Sequence, residues 1–385
     1  MDYADTTLLP DDSTGAPPQV HEPRTQRLAL RFGGSGSEYF RIWIVNLLLL
    51  VVTLGLYFPY ARARRMRYFY GNTWVGEHAL AFHGQGGTML RGYLMVLVLF
   101  VVFSVASSMS PALGLFALLV LLGLWPALFR SGQRFRMSNT SWRGLRLGFE
   151  GDTASAYRRL GPLLVVALLL LGSDLTRLAL NLEPDTTSGN LFAAMAGLAM
   201  LLVPWCQWRL KHYQHGHYSY GGEQAGFDAR VSSFYLIPFK AGLIIGVAGM
   251  LMGVLGAASA AARSMAVMVL AVPLFAALLV VSQSWYTARM QDMVWNGTHS
   301  RSLRFISQLR TGALVRLSLK NLLLTALTLG FYWPFAAVAL ARLRLEAVSV
   351  ELAPSFDILL ARPRDPLADA SGDAAGEIFG IDAGL

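Results

Sequence analysis

Three histidines stand within six residues in HYQHGHY, at His212, His215 and His217. Imidazole is the commonest protein ligand for Zn²⁺ or Cu²⁺, so this spacing could gather a metal ion. Gly216 interrupts any shared helix face, which suits a locally polar turn equally well, and no resident cofactor is expected. Asn46 and Asn321 occupy matching positions in two near-copies, NLLLLVVTLGLYFPY (46–60) and NLLLTALTLGFYWPF (321–335). An amide in an apolar helix either bonds across helices and fixes packing or lines a polar path. The phrase ends in helix-breaking residues, Gly55 and Pro59 in the first copy and Gly330 and Pro334 in the second. Arginines follow: Arg62, Arg64, Arg65 and Arg67 after Pro59, and Arg130, Arg134 and Arg136 after Pro126. Their stems can snorkel along an interface while the guanidinium groups reach anionic lipid headgroups. The glycine-rich GGSGSEY (33–39) and HGQGGT (83–88) lack the P-loop pattern and read as strand-to-helix turns. With no G-x-S-x-G, H-E-x-x-H or paired-carboxylate pattern, the chain is not expected to be an enzyme.

What must position these residues is a set of apolar helices. Hydrophobic residues make up 54% of the 385, and charged residues only 14%. Apolar blocks of membrane-spanning length fall near 92–109, 111–128, 159–173, 191–205, 236–257 and 265–282, with the two near-copies at 39–58 and 314–335. The single Cys206 excludes an internal disulfide. The net charge of +9 is unevenly placed. Residues 129–160 hold seven Arg against two acids, whereas 174–189 hold one Arg against three acids. That is the positive-inside pattern, so the basic loops are read as cytoplasmic, facing anionic lipid and not nucleic acid.

The arginine-rich phrase recurs as an internal repeat. Pro59 and Pro126 are each followed by Asn after 13 residues, Phe after 23 and Gly after 25; looser copies begin at Pro204, near Ser284 and at Pro334. Each proline marks an expected helix break at the interface, followed by a short interfacial helix and a polar turn. RLALRFGG, HALAFHG and LRLGFEG then alternate like short strands, expected to pair as cytoplasmic β-hairpins in one layer beneath the helices.

The expected fold is therefore an all-α polytopic membrane protein with short cytoplasmic β-hairpins. Six full transmembrane helices plus two re-entrant helices, broken at Thr53-Leu54-Gly55 and Thr328-Leu329-Gly330, put both termini inside. Eight full spans remain open as the alternative, with acid-rich termini outside. Residues 1–26, polar with four prolines and no signal-peptide core, are read as a disordered tail. Residues 27–350 form the membrane domain, and 351–385 an acidic, mostly disordered tail.

The stretch SEYFRIWIVNLLLLVVTLGLYFPYARARRMRYFYGNTWVG (37–76), with RFRMSNTSWRG and the later TLGFYWPF, resembles the YjgN-type family of bacterial inner-membrane proteins. The resemblance spans nearly the whole chain. It implies a multi-pass protein of a Gram-negative cytoplasmic membrane and brings no catalytic site, because the family's domain has no defined function. Two functions are carried forward. One is transport or permeation of a small solute or lipid. The alternative is a non-enzymatic scaffold that organises the envelope by binding anionic lipid or an unidentified cytoplasmic protein.

Overall fold

The computed structural model describes residues 26–171, 186–354 and 356. All of the expected N-terminal tail but Gln26, which begins the first strand, the acidic part of the 174–189 loop and nearly all of the expected C-terminal tail lie outside these. Strand β1 (Gln26–Phe32) turns at Gly33–Ser35 into helix α1 (Gly36–Val52), where the Glu38 N–H donates to Ser35 Oγ and caps the first turn. Helix α2 (Phe58–Gly71), with Pro59 in its first turn, leads back to strand β2 (Thr73–Val75). Phe32 at the end of β1 pairs with Thr73 at the start of β2, so the α1–α2 hairpin leaves and rejoins the sheet at one place.

The opposite end of the chain repeats this geometry. Helices α9 (Thr311–Leu327) and α10 (Trp333–Glu346) lie between strands β11 (Leu303–Ser307) and β12 (Val348–Leu352), and Ser307 pairs with Val348. The two hairpin tips match bond for bond. Thr53 Oγ1 donates to Leu49 O at 2.7 Å and accepts the Tyr57 N–H at 3.0 Å; Thr328 Oγ1 donates to Leu324 O at 2.7 Å and accepts the Tyr332 N–H at 2.9 Å. Gly55 and Gly330 take φ of +92° and +95°, a left-handed conformation that suits glycine. Leu54 and Leu329 before them also have positive φ and are 93% and 90% exposed, so each tip presents a bare apolar side chain.

Between the ends run three longer helix pairs: α3 (Gly86–Met109) with α4 (Pro111–Ser138), α5 (Thr153–Leu171) with α6 (Thr186–His215), and α7 (Val231–Ala261) with α8 (Ala266–Asn296). Among the described residues, α3, α4, α7 and α8 are long and apolar enough to cross a membrane. The breaks expected at Pro126 and Pro204 are absent, because α4 and α6 run straight through both prolines. A proline removes one helical hydrogen bond without ending a helix that is held by its neighbours. Among the described residues each helix packs on the next in sequence, and α10 packs on α1, so these helices close into a ring.

Short strands join the pairs: β3 (His78–Ala79), β4 (Ala81–Phe82), β5 (Thr140–Trp142), β6 (Leu145–Phe149), β7 (Tyr218–Tyr220), β8 (Glu223–Gln224), β9 (Gly226–Phe227) and β10 (Thr298–His299). They are not one layer of separate hairpins beneath an all-α body. A seven-stranded antiparallel sheet, β3-β2-β1-β12-β11-β10-β9, meets a five-stranded one, β4-β5-β6-β7-β8. The β3–β4 and β8–β9 segments bend from one sheet into the other at Leu80 and Ala225, so the strands close into a second ring. The reason is apolar: Val75, Trp142, Tyr220, Val350, Leu352 and Phe356 are buried together, and a closed ring hides them as a flat layer would not. Strand β12 continues past residue 350, and Phe356 stacks on Tyr220 at 6.0 Å.

The strand-to-helix junctions share one packing pattern. Phe32 and Tyr39, Phe82 and Met89, Phe149 and Ala156, Phe227 and Phe234, and Ser307 and Leu314 are all buried. Each second residue lies seven positions after the first, which sets one turn of every incoming helix against the strand that precedes it.

Candidate functional site at the centre of the ring

The arginines after the prolines divide by geometry. Arg67 Nη2 donates to Gly84 O at 3.3 Å, Arg130 Nε to Gly151 O at 2.7 Å and Arg136 Nη2 to Gln133 Oε1 at 2.8 Å. Gly84 and Gly151 are the turn residues after Phe82 and Phe149, and a Cβ on either would collide with its own phenylalanine ring. Arg67 and Arg130 therefore fasten strand-to-helix turns, whereas Arg136 bonds within its own helix. The Arg64 guanidinium lies 5.8 Å from the Tyr57 ring centroid, and that of Arg65 lies 5.9 Å from both Phe69 and Trp333. Arg64, Arg65 and Arg67 are exposed, whereas Arg62, Arg130, Arg134 and Arg136 are half-buried.

Asn46 and Asn321 are both 9% exposed, and in each the Oδ1 lacks a hydrogen-bond partner. Asn321 Nδ2 reaches Ala336 O across its own hairpin at 3.5 Å. That contact lies at the outer limit of a hydrogen bond, so packing holds the amide more than bonding does.

The three histidines do not converge. His217 Nδ1 meets Tyr213 O at 2.8 Å, as Asn72 Nδ2 meets Tyr68 O and Asn139 Nδ2 meets Phe135 O, each also at 2.8 Å. His217 stands two residues past the end of α6 and makes the same bond with imidazole in place of carboxamide. His215 Nδ1 lies 3.0 Å from Thr298 Oγ1, whose own proton goes to Val294 O at 2.8 Å, so the imidazole is the donor. Burial, with Lys211 and Arg136 nearby, holds His215 well below the usual imidazole range, in its neutral form. His212 packs edge-on against Trp208 and Phe227. Among the described residues no three His, Cys, Asp or Glu side chains are placed to share a metal ion.

A different cluster occupies the centre. Lys211 on α6 is close enough to Arg136 on α4 and Arg344 on α10 for both to act on its charge. Burial first, and then those two cations, pull its ammonium down to about 8. Helix α5 separates α4 from α6, and three helices separate α6 from α10. Residues so far apart around a ring meet only at its middle. Carboxamides accompany the cations. Gln133 Oε1 accepts from Arg136, and Gln214 Oε1 faces Lys211 Nζ at 3.5 Å. Gln291 Oε1 accepts from Arg344 Nε at 2.7 Å while its Nε2 donates to Arg344 O at 2.9 Å. Gln133 is wholly enclosed, yet its Nε2 has no acceptor. Burying such a donor costs about 1–3 kcal/mol.

Apart from Arg136, these residues do not stand out in the sequence. Their faint signal is register: Gln133, Lys211 and Gln291 lie seven positions before the strand residues Thr140, Tyr218 and Thr298. Arg136, Gln214 and Arg344 lie four positions before Thr140, Tyr218 and Val348.

A ring of apolar helices standing on a closed set of strands, with cations at its middle, defines a helical membrane protein. The chain belongs to the family of bacterial proteins of unknown function DUF898, whose pattern matches residues 27–378. It is 32% identical over 145 residues to the inner membrane protein YjgN of Salmonella typhimurium, covering 37% of each chain. It is 34% identical over 119 residues to the Escherichia coli K12 protein of the same name, covering 31% of this chain and 30% of that one. The matched segments thus span 30–37% of these relatives, which are inner membrane proteins by name. No solved structure matches the chain.

Proposed function

We propose that this is a multi-pass, non-enzymatic protein of the bacterial inner membrane, built from five repeats of a strand–helix–helix–strand unit, that admits a small solute or lipid to the centre of its helical ring. The observation that carries the reading is the meeting of Arg136, Lys211 and Arg344 beneath apolar helices. Charges are costly there and are retained where a path or ligand uses them.

In this reading the three long pairs cross and return, giving six spans, and the α1–α2 and α9–α10 hairpins are re-entrant. Support comes from the strand pairs Phe32–Thr73 and Ser307–Val348, which set both ends of each hairpin side by side. Helix lengths agree: 17 residues in α1 and 14 in α2 extend about 26 and 21 Å, short of a ~30 Å hydrocarbon core. The strand ring is filled by Trp142, Tyr220 and Phe356, so a solute at the centre leaves sideways, between helix feet and strands. Uptake into proteoliposomes tests this. Flux above protein-free vesicles that Lys211→Gln abolishes is expected; no flux of any anion, cation or short-chain lipid overturns it.

The scaffold alternative draws on the exposed Arg64, Arg65 and Arg67. It gains if changing them to Gln releases the protein from anionic vesicles or from a cytoplasmic partner.

A further inference from the structure

We infer that Phe356 is a detachable plug, clamped by Arg143, that closes the bore of the strand ring and opens it on withdrawal. The contact lies among the strands, so the inference goes beyond the permeation reading and stands apart from it.

The strands fill their own bore unevenly. Phe32–Thr73, Phe82–Thr140, Phe149–Tyr218, Phe227–Thr298 and Ser307–Val348 are equivalent ladder pairs. Two residues past the second member of each stand Val75, Trp142, Tyr220, Ser300 and Val350. Two of these are large rings and three are small, and Phe356 supplies a third ring. It is 2% exposed, lies parallel to the Tyr220 ring within 6°, and sits 5.7 Å from that of Trp142. The two ring-borne aromatics are braced without it, because the Tyr220 hydroxyl donates to Trp142 O at 3.0 Å.

Phe356 reaches this place from beyond the end of β12, where Leu352 pairs with Gln26 and Leu303. Past that point the Ala353 N–H donates to Ser302 O at 2.9 Å, and the Phe356 N–H donates to Ala353 O at 3.0 Å, within its own turn. Pro354 has no N–H to add. Ring contacts therefore hold the plug, and the ladder does not.

Arg143 is the strongest sign that the contact is built. The residue that follows β2, β5 and β7 has positive φ in each case: Gly76 at +64°, Arg143 at +48° and Gly221 at +59°. Two of these turns use glycine, which adopts that conformation without strain, and one uses arginine. Strain of this kind persists where the side chain has a task. The Arg143 guanidinium lies 5.8 Å from the Trp142 ring centroid and 5.7 Å from that of Phe356, so it clamps the plug to the ring by cation–π contact. The closed state also carries a cost. Trp142 is 6% exposed, and its Nε1–H has no acceptor among the described residues. Water entering an open bore supplies one.

The test is thiol labelling of the purified full-length chain in detergent with a small charged methanethiosulfonate. In a Cys206→Ser background, Val350→Cys reports on the bore, and Ala288→Cys, wholly buried on α8, reports on the fold. The bore cysteine is expected to label at least tenfold faster than the fold cysteine. Arg143→Gly and Phe356→Ala should each speed it a further fivefold or more, Phe356→Tyr should not, and the fold cysteine should keep its rate. Arg143→Gly decides the matter, because it gives the turn the residue of its sister turns and should leave the thermal midpoint unchanged or higher. Faster labelling without a lower midpoint is an outcome that general loss of stability does not produce. If Phe356→Ala does not fold, Arg143→Gly and the comparison of the two reporters carry the test. One common slow rate for both reporters, or an Arg143→Gly chain whose bore cysteine labels no faster, overturns the inference.

On the permeation reading, an open bore adds an axial exit to the sideways one, and that consequence alone rests on the reading. The failures are distinguishable, because labelling measures no flux. A chain that labels as expected and passes no solute sinks the permeation reading, and one that passes solute while its bore stays closed sinks this inference.

Discussion

Arg342 donates from Nη2 to the carbonyl of Gly34 at 2.8 Å, across 308 residues of sequence. The bond ties α10 to the first strand-to-helix turn of the described residues, beside the pairing of β1 with β12. It thus helps to close the ring, and it is the long-range counterpart of Arg130 on Gly151. Arg130→Gln and Arg342→Gln should each lower stability by about 1.5–3 kcal/mol, the worth of a charge-assisted hydrogen bond. Arg64→Gln, which loses only an exposed stacking contact, should cost less than ~1 kcal/mol. Thermal unfolding in detergent orders the three. Equal, negligible losses would mean that these arginines serve the lipid and not the fold.

The junction glycines make a second contrast. A Cβ on Gly84 would overlap the Phe82 ring, whereas Gly123, inside α4, has nothing within 4 Å of that position. Gly84→Ala should destabilise by about 1–3 kcal/mol, and Gly123→Ala should stabilise by roughly 0.5–1 kcal/mol. The two midpoints should therefore move in opposite directions.

Lys211 gives a pH signature. Its folded value of about 8 lies below the ordinary 10.5, so between those two pH values the unfolded chain binds more protons and stability rises with pH. The penalty is fully present below pH 8 and is relieved by about pH 10.5, at most on the order of 3 kcal/mol. Comparing midpoints at pH 7.5 and 9.5 with those of Lys211→Met isolates this group. The variant should lose the rise, and an identical profile would place the lysine in water.

Asn46 and Asn321 each bury an acceptor with no partner. If they serve packing, Asn46→Leu and Asn321→Leu should leave stability within about 1 kcal/mol of wild type, or raise it, and solute flux should persist. Flux lost from a folded Asn→Leu protein would move the path from the ring centre to the hairpins.

Much of the architecture was legible locally. Runs of twenty apolar residues mark the helices, two-residue alternation marks β1 and β6, and TLG marks both hairpin tips. Pro126 and Pro204 misled, because a proline looks the same whether packing carries a helix past it or not. The ring was not legible, since pairing of Leu28 with Val350 leaves no trace in either strand alone. The centre was harder still. It takes at most two residues from each of four helices, and Lys211, beside His212, looks like any basic residue at a helix end.

The most direct test is the side of the membrane on which the strand turns lie. In a Cys206→Ser background, single cysteines at Glu77, Arg143, Gly222 and Arg301, one in each turn between strands, would be challenged with an impermeant thiol reagent on spheroplasts. Met109, at the end of α3, and Ser264, between α7 and α8, are the opposite-face positions. The account expects all four turns protected and both apical positions labelled. Labelling of Glu77 or Arg301 with the other turns protected would mean that a terminal hairpin crosses the membrane, and neither the six-plus-two arrangement nor the closed ring of strands would survive.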